Sequence, residues 1–236
     1  TIDGLVKGYY NTGELKLEHN YQNGKFSGKC KDYYENGKLK REAIYKEITN
    51  TRQTILDETG KTIYEISEEE RGSLYKGAGV MASTKYDIIE TNFQNDGTKE
   101  SFKHFIGDVK IGEWKYYHNN GNIKKIENYS KDKLNGDQFD YYDNKQLKMK
   151  GFYTNGIKNG EWTEYFMNGK IFKKYSYAHD RLGGEFYEYY DNGNLKEEGS
   201  YAGDKKYKKW KYYDENGKLV KSETWKRGEL IKTDNK

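Results

Sequence analysis

The sequence predicts an all-β protein: an elongated, single-layer antiparallel sheet of tandem β-hairpins, each about 24 residues long. Three observations predict it. Aromatic residues recur in two columns at a fixed 24-residue period. An Asn-Gly dipeptide punctuates most units. The 236 residues include 25 Tyr, 26 Gly and no Pro, so ladder donors are intact while the aliphatic content is low.

The columns come from units starting at residues 4, 28, 88, 112, 136, 160, 184 and 208. The sixth position reads Tyr9, Tyr33, Phe93, Tyr117, Tyr141, Tyr165, Tyr189 and Tyr213. The eighteenth reads Tyr21, Tyr45, Phe105, Tyr129, Tyr153, Tyr177, Tyr201 and Trp225. The tenth is Gly in seven units, with Lys145 the exception. A helix would place its aromatic stripe at 3.6 residues, not at the repeat period. Two units occupy 1–51 and six occupy 88–236, as one continuous repeat domain. Between them, 52–87 reads as a degenerate unit with an insertion, in which Asp57-Glu58-Thr59-Gly60-Lys61 echoes the turn at Asn216-Gly217. A short helix is expected near Ser67–Arg71.

The turns at Asn36-Gly37, Asn120-Gly121, Asn168-Gly169, Asn192-Gly193 and Asn216-Gly217 are expected to be two-residue type I′ loops, since both residues tolerate positive φ. That register sets Tyr45 across from Gly28, Tyr129 from Gly112 and Tyr201 from Gly184, each ring covering a bare glycine. One face then carries Cys30, Trp114, Trp162, Phe186 and Trp210 with Leu39, Ile123, Leu147, Leu195 and Leu219. The other pairs Tyr9 with Lys16, Tyr33 with Lys40, Tyr117 with Lys124, Tyr141 with Lys148 and Tyr189 with Lys196. These eight Tyr and Lys residues from 33 to 196 form the candidate binding face, with cation–π pairs of about 0.5–1 kcal/mol each.

The run Gly160-Glu161-Trp162-Thr163-Glu164-Tyr165, followed by Phe166-Met167-Asn168-Gly169-Lys170-Ile171, resembles a MORN repeat in its bacterial variant. Gly112-Glu113-Trp114-Lys115-Tyr116-Tyr117 and Gly184-Glu185-Phe186-Tyr187-Glu188-Tyr189 are similar. The resemblance implies a sheet of hairpins without a catalytic site, acting as a scaffold or binding surface. For the bacterial variant it also implies an antitoxin or immunity-type role.

Composition excludes several chemistries. Net charge is +4 from 42 basic and 38 acidic residues, and no stretch approaches the ~20 apolar residues of a membrane helix. Leu, Ile, Val and Phe make up about 17% of the chain, but 16% aromatics argue against a solvated coil. A single Cys30 leaves no intrachain disulfide, and it reads as a packed thiol. His19, His104, His118 and His179 sit at unrelated unit positions, so they read as surface or hairpin-end residues and no metal is expected. Gly77-Ala78-Gly79-Val80-Met81-Ala82 has the letters of a dinucleotide loop without the preceding apolar strand, so no cofactor is expected. The acidic group Glu65, Glu68, Glu69 and Glu70 reads as a solvated loop. Recurring Glu113, Glu161 and Glu185, and Glu164 and Glu188, read as an ion-pairing ladder rather than a catalytic pair.

The expected function is a non-catalytic scaffold with a protein partner. A cell-wall glycan or an anionic phospholipid is the alternative. Nucleic acid is disfavoured because acidic residues interrupt the basic ones, and open sheet ends favour self-association. The chain begins at Thr1 rather than Met, which leaves room for a trimmed leader and leans toward the cell envelope over the cytoplasm.

Overall fold

A computed structural model of the chain describes residues 1–48, 53–56, 62–66 and 86–236. Among the described residues every regular element is a strand. Contacts divide the chain into two compact units, 1–133 and 134–236, each described by itself. The first unit joins the hairpins Gly4–Tyr9/Leu15–Gln22, Gly28–Tyr33/Leu39–Glu47, Tyr86–Phe93/Lys99–Ile106 and Gly112–Tyr117/Ile123–Ser130 in an open antiparallel sheet. A separate pair, Gln53–Leu56 with Thr62–Ile66, lies in the insert. The second unit runs in chain order from Gly136–Tyr141 to Glu229–Asn235, each strand antiparallel to the next. The turn expected at 57–61, the helix expected at 67–71, Glu68–Glu70 and the 77–82 run lie outside the described residues.

The Asn-Gly turns differ from the expected type. Around Asn36-Gly37, Gly37 N donates to Tyr34 O at 2.9 Å and Tyr34 N to Lys38 O at 2.8 Å. That closes a three-residue loop in which only the glycine is left-handed, at φ +78°. Asn36 contributes through its side chain, whose Oδ1 accepts the Lys38 N–H at 3.1 Å. The same bond recurs from Asn120, Asn168 and Asn192. The loop is a type I turn followed by a left-handed glycine. Type I′ geometry occurs instead at the connections between units. Asn23-Gly24, Lys131-Asp132, Asn155-Gly156, His179-Asp180, Gly203-Asp204 and Arg227-Gly228 have positive φ at both residues.

The longer loop shifts the register by one residue, and a bulge restores it. Tyr33 pairs with Leu39, Lys40 is the extra residue, and from Asp32–Arg41 outward the expected register returns. The pairs Gly28–Tyr45, Gly112–Tyr129 and Gly184–Tyr201 therefore form as expected. Tyr33–Lys40 and its equivalents do not. Tyr9, Tyr117, Tyr141 and Tyr189 face Leu15, Ile123, Leu147 and Leu195 instead. The Leu/Ile column thus stands on the face of Tyr33, not on that of Cys30.

The glycines facing these tyrosines are not ring seats. Gly28, Gly160 and Gly184 have φ of +67°, +68° and +81°, with nothing within 4 Å of where a side chain would project. Backbone conformation selects them. The rings are seated on a different column: Trp162 lies on Gly151 and Trp210 on Gly199. Trp162 is 2% exposed and Trp210 0%. Small and large residues alternate along this row, so Phe186 and Trp210, with centroids 5.4 Å apart, flank Gly199. Tyr153 and Tyr177 meet Trp162 edge-on, as Tyr201 meets Trp210. In the first unit the row holds Cys30 and Ala43, both buried, and Trp114. A small aliphatic cluster forms from Ile106, Ile111, Ile48 and Val109.

Two lysines occupy glycine columns and keep the glycine backbone. Lys145 has φ +72° in the turn column, and Lys208 has φ +60° in the strand-entry column. A side chain with a Cβ is disfavoured there by roughly 1–2 kcal/mol. Lys145→Gly and Lys208→Gly are expected to raise stability by about 1 kcal/mol each once the entropy of an added glycine is subtracted. Urea melts with a lower or unchanged midpoint would contradict this.

Candidate interaction surface

The eight Tyr and Lys residues expected to form a binding face lie at the Asn-Gly end of each hairpin. Tyr33, Tyr117, Tyr141 and Tyr189 are half-buried, while Lys40, Lys124, Lys148 and Lys196 are exposed. The bulge moves three of these lysines, Lys40, Lys148 and Lys196, onto the tyrosine that follows the expected one. Lys40 Nζ lies 5.7 Å from the Tyr34 ring, Lys148 5.6 Å from Tyr142 and Lys196 5.8 Å from Tyr190. Lys16 over Tyr10, at 5.4 Å, completes the pattern. Tyr33, expected to hold Lys40, bonds elsewhere. Tyr33 donates its hydroxyl to Glu18 at 2.8 Å; its burial and that bond push its pKa up to about 12.

The sequence signal for Tyr10, Tyr34, Tyr142 and Tyr190 is a second aromatic directly after five of the seven sixth-column tyrosines, the fifth being Phe166. Each of the four tyrosines also ties its turn to the next hairpin. Their hydroxyls donate to Tyr33 O, Phe93 O, Tyr165 O and Tyr213 O at 2.6–2.9 Å. One ring therefore carries a lysine on its face and a neighbouring strand on its hydroxyl, so the lysine columns stand on a braced platform.

A second set of lysines sits over the tryptophan row. Lys110 Nζ is 4.7 Å from Trp114 and 5.0 Å from Tyr129. Lys158 is 4.9 Å from Trp162 and 5.0 Å from Tyr177. Lys206 is 4.0 Å from Trp210 and 5.5 Å from Trp225. Their aliphatic stems help close the tryptophans from water.

The carboxylate ladder is paired, though not always with lysine. Glu113 meets Lys115 and Glu161 meets Lys174, both at 3.1 Å. Glu188 is held by Lys196 at 2.7 Å and Lys173 at 3.2 Å. Glu164 instead accepts the Tyr175 hydroxyl at 2.6 Å, and Glu185 accepts from Ser200. Glu223 accepts from Tyr212, Lys221 and Trp225. Burial would raise its pKa, but those three bonds outweigh it and hold the group at about 2 instead of 4.5. With the folded value below the unfolded one, this stabilisation is present above pH 4.5 and is lost as pH falls toward 2. Glu223→Gln is expected to flatten that part of the acid-unfolding curve; an unchanged slope would exclude the linkage.

The histidine expectation holds in part. His179 is an exposed turn residue. His104 is fully buried, with Nε2 2.5 Å from Asp87 Oδ1. His19 is mostly buried and lies 2.7 Å from Asp32. A strand interior, not a hairpin end, sets both. Cys30 is buried as expected, and burial pushes its thiol up, away from the reactive thiolate. Among the described residues no group of three or more His, Cys, Asp or Glu is placed to hold a metal ion.

No curated protein matches the chain. Solved structures to which it is similar include the crystal structure of TcdB2-TccC3-TEV, at 10% identity and TM-score 0.24 over 94% of this chain and 13% of that one. Another is a Photorhabdus luminescens Tc holotoxin pore, at 9% identity and TM-score 0.19 over 91% and 13%. The chain thus spans about an eighth of the length of these structures. The MORN repeat variant profile matches residues 2–23, 26–47, 110–131, 134–155, 158–179, 182–202 and 206–227, well over half of the chain. In the second unit each matched segment runs from one tight connection to the next, through one three-residue loop and its bulge. With the repeat, the hairpins and the register in agreement over that span, the chain belongs to the MORN repeat variant family.

Proposed function

We propose that the chain is a non-catalytic repeat scaffold that binds another protein through its Tyr–Lys face, with an antitoxin or immunity-type role as its finer form. One observation supports this above the rest. Exposed lysines recur at the same place in three hairpins, Lys40, Lys148 and Lys196, each over a ring whose hydroxyl is anchored to the next hairpin. Cations held over rigid aromatic surfaces lose little side-chain freedom on binding, which favours contact energy over ordering cost.

The test places a photo-crosslinking residue at position 148 or 196, and at 218 as a control. Protein adducts from native lysate or envelope at 148 and 196 that exceed those at 218, and that are lost in Tyr142→Ala and Tyr190→Ala, are expected. Absence of adducts together with binding to a glycan array, or to anionic vesicles, would replace this reading with the glycan or phospholipid one. Turnover of a substrate by the purified chain would overturn the non-catalytic part.

A further inference from the structure

We infer that the tight-turn edge of the second unit is a separate docking surface for an acidic protein segment, one that presents carboxylates about 10 Å apart. The inference rests on the scaffold reading and names a second contact on it. Residues 205–236 hold 11 basic and 5 acidic residues, whereas the whole chain is only +4. Four of the eleven basic residues, Lys205, Lys206, Lys226 and Arg227, flank the connections between hairpins. Arg181, Lys205, Lys226 and Arg227 lie in or beside three successive tight turns, and all are exposed.

Backbone bonds occupy the aspartates beside these cations. Asp204 N donates to Leu182 O at 2.9 Å, and Asp204 Oδ1 accepts the Leu182 N–H at 2.8 Å. Asp180 clamps Lys158 in the same way. Gly228 N continues the stack onto Lys206 O at 3.2 Å. The two aspartates on this edge are thus spent on the backbone, and Lys158 and Lys206 are spent on tryptophan rings. Glu229 pairs across from Lys226 in the ladder. Among the described residues, Arg181, Lys205, Lys226 and Arg227 form no ion pair, and the exposed Tyr207 ring nearby adds apolar contact.

Spacing identifies the occupant. Successive tight turns are two strands apart, roughly 9.6 Å at ~4.8 Å per strand. A nucleic-acid strand carries a charge about every 3.4 Å of axis, so most phosphates would find no cation. A helix with Glu or Asp at every seventh position sets carboxylates about 10.5 Å apart on one face, at 1.5 Å rise per residue. A protein segment of that kind matches the edge.

The probe is a synthetic helical peptide with Glu at every seventh position on one face, measured against a scrambled peptide of equal composition and a single-stranded oligonucleotide. The full chain is expected to bind the patterned peptide more tightly than the other two, with an affinity that falls as salt rises. The triple variant Lys205→Glu, Lys226→Glu, Arg227→Glu is expected to weaken binding about tenfold, as three partly exposed pairs would. Lys145→Glu, Lys150→Glu, Lys218→Glu, the same charge change elsewhere in the unit, is expected to leave it within about twofold. Equal losses in both triples, salt-independent binding of the unaltered chain, equal affinity for the scrambled peptide, or preference for the oligonucleotide would each overturn the inference. None of these outcomes bears on crosslinking at 148 and 196, so the two readings fail separately.

Discussion

Gly199→Ala is expected to cost about 3 kcal/mol or more, and Gly151→Ala about the same. Both glycines lie in strand interiors without positive φ, where alanine would ordinarily be neutral or favourable. Sterics reverse the sign. A Cβ at 199 would fall 2.2 Å from Trp210 Cδ2, and one at 151 would fall 2.3 Å from Trp162 Cδ2. Carbon atoms rest at about 3.5–4.0 Å. Trp210 has little room to withdraw: Nε1 donates to Ser200 O at 3.2 Å, Tyr201 stands 5.0 Å away, and Lys206 lies 4.0 Å over the ring. Tryptophan fluorescence during urea unfolding, with hydrogen exchange at 199–201, reads the effect. Because stability in a repeat array is largely a nearest-neighbour sum, exchange should rise most in the hairpins touching residue 199. In Gly199→Ala combined with Trp210→Leu, the smaller side chain should recover part of the loss relative to the sum of the single changes. Strict additivity would show that the ring seat is not the cause.

Trp162→Ala is the second large effect, about 3–5 kcal/mol. The indole is 2% exposed and touches Tyr153, Tyr177, the Gly151 backbone and Lys158. Its removal leaves a cavity on a sheet with few aliphatic neighbours to collapse into it. It also frees Lys158, whose stem covers the ring. Trp162→Phe should cost less, since an aromatic surface on Gly151 remains. Thermal melts and backbone exchange in strands 147–154, 157–165 and 171–178 would measure both. A loss under about 1 kcal/mol for the alanine variant would mean that the tryptophan row is not the core of this unit.

Much of this fold was legible before the structure. The strand positions, the hairpin repeat and the outer register of Gly28–Tyr45 and its equivalents follow from alternation and turn spacing alone. The burial of Cys30, Trp114, Trp162, Phe186 and Trp210 follows from that register. The turn ends were misread because Asn-Gly letters fit two loop types. A two-residue type I′ loop and a three-residue loop followed by a bulge produce the same outer register, so the outer pairs carry no information about the inner ones. That ambiguity moved Lys40, Lys148 and Lys196 of the candidate face from Tyr33, Tyr141 and Tyr189 to Tyr34, Tyr142 and Tyr190.

The sequence by itself determined the architecture, because a 24-residue period with two aromatic columns has only one economical reading as stacked hairpins. It also determined which face carries Cys30 and the tryptophans, but not that the Leu/Ile column stands on the other. Only the tertiary structure decided what each glycine is for, since a glycine selected for positive φ and one selected for a ring above it are the same letter. Gly28 and Gly199 belong to different classes for that reason. The tight-turn edge was also decided there. Whether Asp180 and Asp204 neutralise nearby cations or clamp a backbone depends on contacts between residues 22 apart, and local spacing does not encode those.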